Sequence, residues 1–188
     1  MKTKINYGLS ALTIFLTINF AFAQDTLHSK IKTLKRVVVI NAPVDSVFTF
    51  MDDIQNTGGH MTKSNTPMMG SKLTVEWLTD YKIGLGSKYR WRGKVIGMKM
   101  DFTVEVTKWI KGKEKIWETI GETKMIVLSW YRMYLVLTPL ENGTTLAELG
   151  IFYTKPQGSF LSFLLSKRYA VWCVKSMTKD SQKHFEKK

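Results

Sequence analysis

Between residues 72 and 153, apolar and polar residues alternate with a period of two in about six segments. In the first segment Leu73, Val75 and Trp77 alternate with polar residues, and the later segments repeat the pattern. Such alternation is typical of antiparallel strands that have one buried face and one solvent-exposed face. The segments span 72–77, 88–95, 100–107, 115–121, 129–140 and 144–153. The region therefore predicts an antiparallel sheet whose apolar face must be buried against another element.

Helical patterns flank this sheet region. A β-branched strand over 36–40 stops at Asn41-Ala42-Pro43, and apolar residues then recur at helical spacing until the turn at 56–59. Residues 60–70 predict a loop or a short second helix. A long helix is predicted over 159–185, with Ser159 as its N-cap. Its predicted apolar face comprises Phe160, Leu161, Leu164, Leu165, Tyr169, Trp172, Val174 and Met177.

These elements predict an α+β fold. A curved antiparallel sheet of about seven strands wraps around the long C-terminal helix, and one or two short helices follow the first strand. A curved sheet closing on a helix leaves a cavity between them, where small apolar ligands bind.

The first 23 residues predict a secretory signal peptide. Lys2 and Lys4 precede an apolar run from Leu9 to Ala23, which ends in an A-x-A pattern. The run is shorter than the ~20 apolar residues that span a bilayer. We expect a signal peptide over 1–23, a tether over 24–33 and one domain over 34–188, exported to the periplasm or secreted. The alternative is a membrane anchor formed by an uncleaved N-terminal segment.

The charge of the chain favours an anionic partner. The 188 residues carry a formal charge of +13 and one cysteine, Cys173, which excludes an internal disulfide. Without residues 1–23 the charge is +11, of which +6 lies from Lys155 onward. No nucleic-acid-binding signature is present, and a signal peptide argues against nucleic acid as partner. The basic C-terminal helix therefore points to membrane headgroups or to the acidic head of a lipid-like ligand.

Several motifs carry a family resemblance when taken in order. They are the run from Val39 to Phe48 around Ala42-Pro43, Gly84-Leu85-Gly86-Ser87, Trp91-Arg92-Gly93-Lys94, Trp117, the 131–139 strand, Gly143-Thr144-Thr145-Leu146 and the terminal helix. Residues 34–186 thereby resemble the SRPBCC superfamily, also called START-like or helix-grip, and within it the polyketide cyclase/dehydrase-like group. The resemblance implies a sheet–helix cavity for lipids, sterols, quinones or polyketides, enzymatic activity in only a minority of members, and no catalytic motif to transfer.

The alternation also predicts which side chains face the cavity, unless the same residues form a filled core. Trp and Tyr there would need partners for their N–H and O–H groups, which suggests a partly polar ligand or bound water. The predicted ligand-binding residues are Val75, Trp77, Tyr89, Trp91, Met100, Phe102, Val104, Tyr131, Met133, Leu135, Leu149, Ile151, Tyr153, Leu161, Leu164, Leu165 and Trp172.

Catalysis has few candidates in this sequence. Glu118 and Glu148 lie in strands whose facing the pattern leaves open, and an inward carboxylate could act as a general base. Tyr131 is a further candidate. No metal site or cofactor is expected, because the Met and His pairs, such as His60-Met61, do not follow a known ligand spacing. We expect a binding module for a hydrophobic small molecule or lipid; a cyclase- or dehydratase-type enzyme and a purely structural domain are the alternatives.

The strand over 88–95 carries a basic stripe formed by Lys88, Arg90, Arg92 and Lys94. The stripe could contact an anion or a membrane, or it could pair with acids on the next strand. A turn centred on Gly97 would place Arg90 opposite Glu105 and Lys94 opposite Asp101. About half of the stripe would then be neutralised.

Overall fold

Seven strands and four helices make up the described part of the chain. The computed structural model describes residues 31–62, 72–95, 98–158 and 160–186. The strands are β1 (Lys32–Ile40), β2 (Lys72–Trp77), β3 (Lys88–Val95), β4 (Met98–Ile110), β5 (Glu114–Lys124), β6 (Trp130–Pro139) and β7 (Thr145–Thr154). The helices are α1 (Val44–Asp52), α2 (Ile54–Thr57), α3 (Gly59–Thr62) and α4 (Phe160–Glu186). The predicted signal peptide, tether residues 24–30 and N-cap Ser159 lie outside the described residues.

All seven strands belong to one sheet, as the alternation predicts. Their order is β1-β7-β6-β5-β4-β3-β2, and each consecutive pair from β2 to β7 is antiparallel. Two irregularities interrupt the pairing of β4 with β5, between Asp101 and Thr103 and between Val106 and Lys108. Such irregularities increase the local twist, which helps a sheet to curve. The predicted α+β helix-grip architecture is confirmed.

The β6–β7 connection forms the hairpin that its Asn-Gly sequence predicts. Gly143 has a φ of 76°, which glycine adopts without steric cost. The Asn142 side chain accepts hydrogen bonds from the Thr144 backbone N–H at 3.2 Å and from its hydroxyl at 2.6 Å. This turn sets the register in which Leu135 lies opposite Leu149.

The predicted register of β3 and β4 is wrong by two residues. Lys88 lies opposite Glu105 and Arg92 opposite Asp101, because Val95 already pairs with Met98. The basic stripe is nevertheless paired more fully than predicted. The ion pairs join Lys88 to Glu105 at 3.4 Å, Arg90 to Asp101 at 2.6 Å and Arg92 to Glu76 at 3.3 Å. In contrast, Lys94 lies opposite Lys99.

Helix α1 begins after Pro43, as predicted, and buries Val47, Phe48 and Met51. It ends at Asp52, earlier than expected, and Asp53 then caps α2 by accepting from the Gln55 backbone N–H at 2.8 Å. The segment up to Thr62 therefore forms three short helices, where one or two were predicted.

Helix α4 runs close to its predicted bounds but leaves two residues of its predicted apolar face exposed. In its first half the buried positions are Ser162, Ser166 and Ala170. Phe160 and Leu164, predicted to be apolar-face residues, are 79% and 50% exposed. Small side chains allow close approach, and the Ser166 hydroxyl donates to the Val127 carbonyl at 2.8 Å. The prediction of the apolar face is therefore wrong for Phe160 and Leu164.

Candidate ligand-binding site

A cavity of about 360 Å³ lies between the inner face of the sheet and α4. Its volume is at the lower end of the ~300–1,000 Å³ that ligand pockets usually have. The described lining residues are Ile54, Thr57, Gly58, His60, Met61, Tyr89, Trp91, Met100, Phe102, Trp117, Met125, Ile126, Val127, Leu128, Tyr131, Met133, Ile151, Leu161, Leu165, Arg168, Tyr169, Trp172, Cys173 and Met177. The wall is thus mainly apolar and aromatic, with a few polar groups, which is the usual composition of a small-molecule site.

The sheet supplies one wall from five neighbouring strands, β3 to β7. Trp91, Phe102, Trp117, Met133 and Ile151 each come from a different strand and are at most 5% exposed. They share a face because successive strand residues point to opposite sides. The alternation of apolar and polar residues along each strand thus places large side chains on the face that lines the cavity.

Helix α4 supplies the opposite wall. Leu161, Leu165, Tyr169, Trp172 and Cys173 line the cavity and follow the i, i+4 and i+3 spacing of one helix stripe. The Tyr169 and Trp172 rings lie 5.7 Å apart and tilt against each other. This stripe lies beside the buried Ser162 and Ser166 on the helix surface. One side of α4 therefore packs in the protein interior, and the neighbouring side lines the cavity.

The loop between β5 and β6 closes part of the cavity. Its residues 125–128 line the wall, and Leu128 is 2% exposed. The hydrogen bond from Ser166 to Val127 ties this loop to α4. Sequence analysis missed the loop, although its run Met125-Ile126-Val127-Leu128 is too apolar for an exposed turn.

The short helices contribute a buried histidine. His60 Nδ1 lies 2.9 Å from the Thr57 carbonyl oxygen, so that nitrogen carries the proton and donates. Its ring packs edge-on against Trp172, with the centroids 4.9 Å apart. Burial lowers the pKa of His60 from 6.5 to about 4. The imidazole is therefore neutral at physiological pH and adds no charge to the cavity.

Gly58 sits where a side chain cannot fit. A Cβ there would lie 2.5 Å from the Ile54 carbonyl oxygen and 3.0 Å from the Trp91 ring. The chain therefore passes close to the cavity wall between α2 and α3 only because this residue is glycine.

Three phenols place polar groups in the otherwise apolar wall. Burial raises the pKa of Tyr89, Tyr131 and Tyr169, so all three remain protonated donors. Tyr169 shares a hydrogen bond with Cys173, whose thiol pKa burial raises to about 12. Tyr89 and Tyr131 both line the cavity. These two donors are available to an acceptor on a bound molecule.

Ten of the seventeen predicted ligand-binding residues line the cavity. They are Tyr89, Trp91, Met100, Phe102, Tyr131, Met133, Ile151, Leu161, Leu165 and Trp172. Their role in ligand binding stays a prediction.

The other seven predicted residues lie elsewhere. Four are buried in the packed core beyond the cavity, namely Val104, Leu135, Leu149 and Tyr153. Two, Val75 and Trp77, lie on the edge strand β2 and are partly buried against that core. The last, Leu164, is half exposed on the outer side of α4.

The candidate carboxylates face away from the cavity. Glu118 accepts two hydrogen bonds from the Arg132 guanidinium, at 3.0 and 3.2 Å. Glu148 accepts from the Tyr134 hydroxyl at 2.8 Å and from Lys35 at 3.0 Å, and these bonds lower its pKa. Neither glutamate can reach a molecule in the cavity, so the acid–base hypothesis loses both carboxylates.

A buried ion pair, which the sequence did not predict, lies in the interior outside the cavity wall. Lys115 Nζ is 2.6 Å from Asp52 Oδ1, and their side chains are 7% and 3% exposed. Lys115 also donates to the Asp52 carbonyl oxygen at 2.7 Å, and Trp109 Nε1 donates to Asp52 Oδ2 at 2.8 Å. Burial lowers the pKa of Lys115, while Asp52 acts in the opposite direction. The pair joins the end of α1 to β5.

Neither a metal-ligand cluster nor a membrane-spanning helix accompanies this site in the described part of the chain. Its residues contain no group of three or more His, Cys, Asp or Glu that could hold a metal ion. None of the described helices combines the length and apolar character needed to cross a bilayer.

The chain is similar in fold to several solved structures. No protein-family model matches it, and no curated protein matches its sequence. A norcoclaurine synthase from Thalictrum flavum superposes with a TM-score of 0.61 at 10% identity, over 84% of this chain and 95% of that one. The protein TTHA0849 from Thermus thermophilus gives 0.57 at 17% identity, over 81% and 95%. Ara h 8.0201 gives 0.53 at 11% identity, over 80% and 97%. At these identities the likeness shows the fold alone, and the chain has the helix-grip fold.

Proposed function

We propose that this protein binds a hydrophobic small molecule or lipid-like ligand in the cavity between the sheet and α4. The observation that carries the proposal is the cavity itself, about 360 Å³ with a mainly apolar wall. Empty space in a protein interior costs stability, because the lining atoms lose contacts on one side. A ligand that fills the space recovers those contacts.

The polar groups of the wall favour a ligand with a neutral hydrogen-bond acceptor. Tyr89 and Tyr131 offer protonated hydroxyls. Leaving a buried donor without a partner costs about 1–3 kcal/mol, so a ketone or quinone oxygen placed between them is stabilised relative to a pure hydrocarbon. Arg168 is the only charged side chain among the described lining residues, and it is exposed on α4. An acidic group on the ligand would therefore be accommodated near Arg168, not deep in the cavity.

Binding is favoured over catalysis at this site. With Glu118 and Glu148 on the outer face, Tyr131 is the one earlier catalytic candidate that lines the cavity. Its raised pKa makes it a donor and not a base. A phenol that only donates orients a carbonyl ligand without abstracting a proton.

The solved structures of similar fold support a small-molecule role. One structure of the Thalictrum flavum norcoclaurine synthase is a complex with dopamine and hydroxybenzaldehyde. By analogy of fold we propose that aromatic or polyketide-like molecules are suitable ligands for this cavity. Membership of the polyketide cyclase/dehydrase-like group also remains a proposal, supported by the motifs around Ala42-Pro43 and Gly84–Ser87.

Export and membrane contact complete the proposal. The N-terminal pattern of residues 1–23 supports export to the periplasm or secretion. Lys175, Lys179 and Lys183 are exposed on α4 and supply positive charge for anionic headgroups. In this proposal, the protein holds an apolar ligand close to a membrane surface.

The test compares two ligands of nearly equal shape. We expect 2-acetylnaphthalene to bind more tightly than 2-ethylnaphthalene in isothermal titration calorimetry, because only the ketone accepts hydrogen bonds. The double variant Tyr89→Phe/Tyr131→Phe should weaken the ketone about tenfold and leave the hydrocarbon unchanged. The matched control is Tyr134→Phe, whose hydroxyl donates to Glu148 on the outer face. Absence of binding by both ligands would refute the proposed function.

A further inference from the structure

The first turns of α4 present large apolar side chains to solvent. Phe160, Phe163 and Leu164 are 79%, 73% and 50% exposed, and Val171 further along the helix is 43% exposed. These four residues follow helical i, i+3 and i+4 spacing, so they lie on one side of the helix. We call them the outer face of α4. A cluster of exposed phenylalanine and leucine side chains is unusual on a soluble surface and marks an interaction site.

Positive charge surrounds this outer face. The stretch from Lys155 to Lys179 contains no acidic residue. Lys167, Arg168 and Lys175 are exposed along the same helix, and Lys155 Nζ lies 5.1 Å from the centre of the Phe163 ring. Apolar side chains bordered by lysine and arginine are typical of helices that lie in the interface of an anionic bilayer.

We propose that the outer face of α4 docks on an anionic phospholipid bilayer, with Phe160, Phe163 and Leu164 inserted among the acyl chains and the basic residues on the headgroups. This inference rests on the proposed function and locates its membrane contact. A second copy of the chain fits the face less well, because two identical faces would bring their basic residues together.

The position of the outer face connects it to the cavity. Leu161 and Leu165 lie on the same turns of α4 as Phe160 and Leu164, but they line the cavity. The loop of residues 125–128, which is bonded to α4 through Ser166, lines the cavity beside them. Insertion of these turns would bring the acyl chains within one helix diameter of the ligand space. The docked protein would therefore exchange its ligand with the bilayer at this end.

The experiment measures vesicle binding by cosedimentation, using the chain as it is recovered after export. The vesicles are phosphatidylcholine alone or phosphatidylcholine with phosphatidylglycerol. We expect binding to the mixed vesicles that weakens with salt, and at least about a tenfold loss for Phe160→Ser/Phe163→Ser. The matched control is Leu85→Ser, since Leu85 is 62% exposed in the β2–β3 loop. It should bind vesicles as the parent chain does.

Two further measurements separate the outcomes. The affinity of the Phe160→Ser/Phe163→Ser variant for 2-acetylnaphthalene should equal that of the parent chain, which shows that the cavity is intact. Light scattering should give the same mass for both proteins. Equal vesicle binding by both proteins would overturn the docking proposal without touching the ligand proposal. A dimer that only the parent chain forms would overturn it in favour of a second copy.

Discussion

Acid should destabilise this protein through His60. The imidazole is 8% exposed, donates to the Thr57 carbonyl and packs on Trp172 inside the cavity wall. Burial lowers its pKa from 6.5 to about 4, because the charged form would lose its hydration in this apolar surrounding.

The sign and size of the effect follow from proton linkage. The unfolded chain binds a proton at His60 with the ordinary pKa of 6.5, and the folded chain only near 4. Between these values the unfolded state holds more protons, so stability rises with pH there and is complete above the unfolded pKa. Lowering the pH from about 7.5 to about 5 should therefore remove about 2 kcal/mol of unfolding free energy.

Urea unfolding at several pH values, followed by tryptophan fluorescence, measures this effect. His60→Gln should lose most of the pH dependence between about pH 7.5 and 5 whatever its absolute stability. His184→Gln is the matched control, because His184 is exposed and stacks on Phe50. The carboxyl pKa of Asp101 is lowered by its hydrogen bonds from Arg90, so protonation of Asp101 changes the unfolding free energy at a lower pH than protonation of His60 does. The reasoning is refuted if His60→Gln keeps the slope of the parent chain.

Two further predictions concern the interior. Lys115→Met leaves the buried Asp52 carboxylate without its cation and should lower the unfolding free energy in urea by about 3–5 kcal/mol. The double variant Lys115→Met/Asp52→Asn should lose clearly less than the sum of the losses of the two single variants, and losses that simply add would contradict a coupled pair. Leu149→Ala, at a fully buried core position, should cost about 2–5 kcal/mol, and Leu165→Ala clearly less, because Leu165 already borders open space. Equal losses at Leu149 and Leu165 would indicate a filled interior instead of a cavity.

The fold could be predicted because its signals repeat. Alternation over six strands, one Asn-Gly hairpin and one long terminal helix agree on the same architecture, and consistent local signals specify a fold well. The facing of β5 could not be predicted in this way. Its inner positions are Lys115, Trp117 and Thr119, while Glu118 is on the outer side with Ile116. Both faces of β5 mix apolar and polar residues. The alternation along the strand is therefore recognisable in the sequence, but it does not show which of the two faces is buried.

The cavity wall could be predicted only where regular strands or helix turns form it. The helix prediction followed the largest apolar residues, but α4 packs through Ser162 and Ser166 and leaves Phe160 exposed. His60 and the 125–128 loop reach the cavity through tertiary packing of irregular segments, which sequence periodicity does not describe. The buried Lys115 depends on Asp52, 63 residues away in the sequence.

Methyl NMR of methionine tests the central claim most directly, since five methionines among the described residues line the cavity. They are Met61, Met100, Met125, Met133 and Met177. With 13C-methyl-methionine labelling, addition of 2-acetylnaphthalene should shift several of these resonances. The signals of Met51, buried among α1 residues, and Met98, 40% exposed on β4, should stay in place. Shifts confined to Met98, or no shifts at saturating ligand, would contradict a ligand site between the sheet and α4.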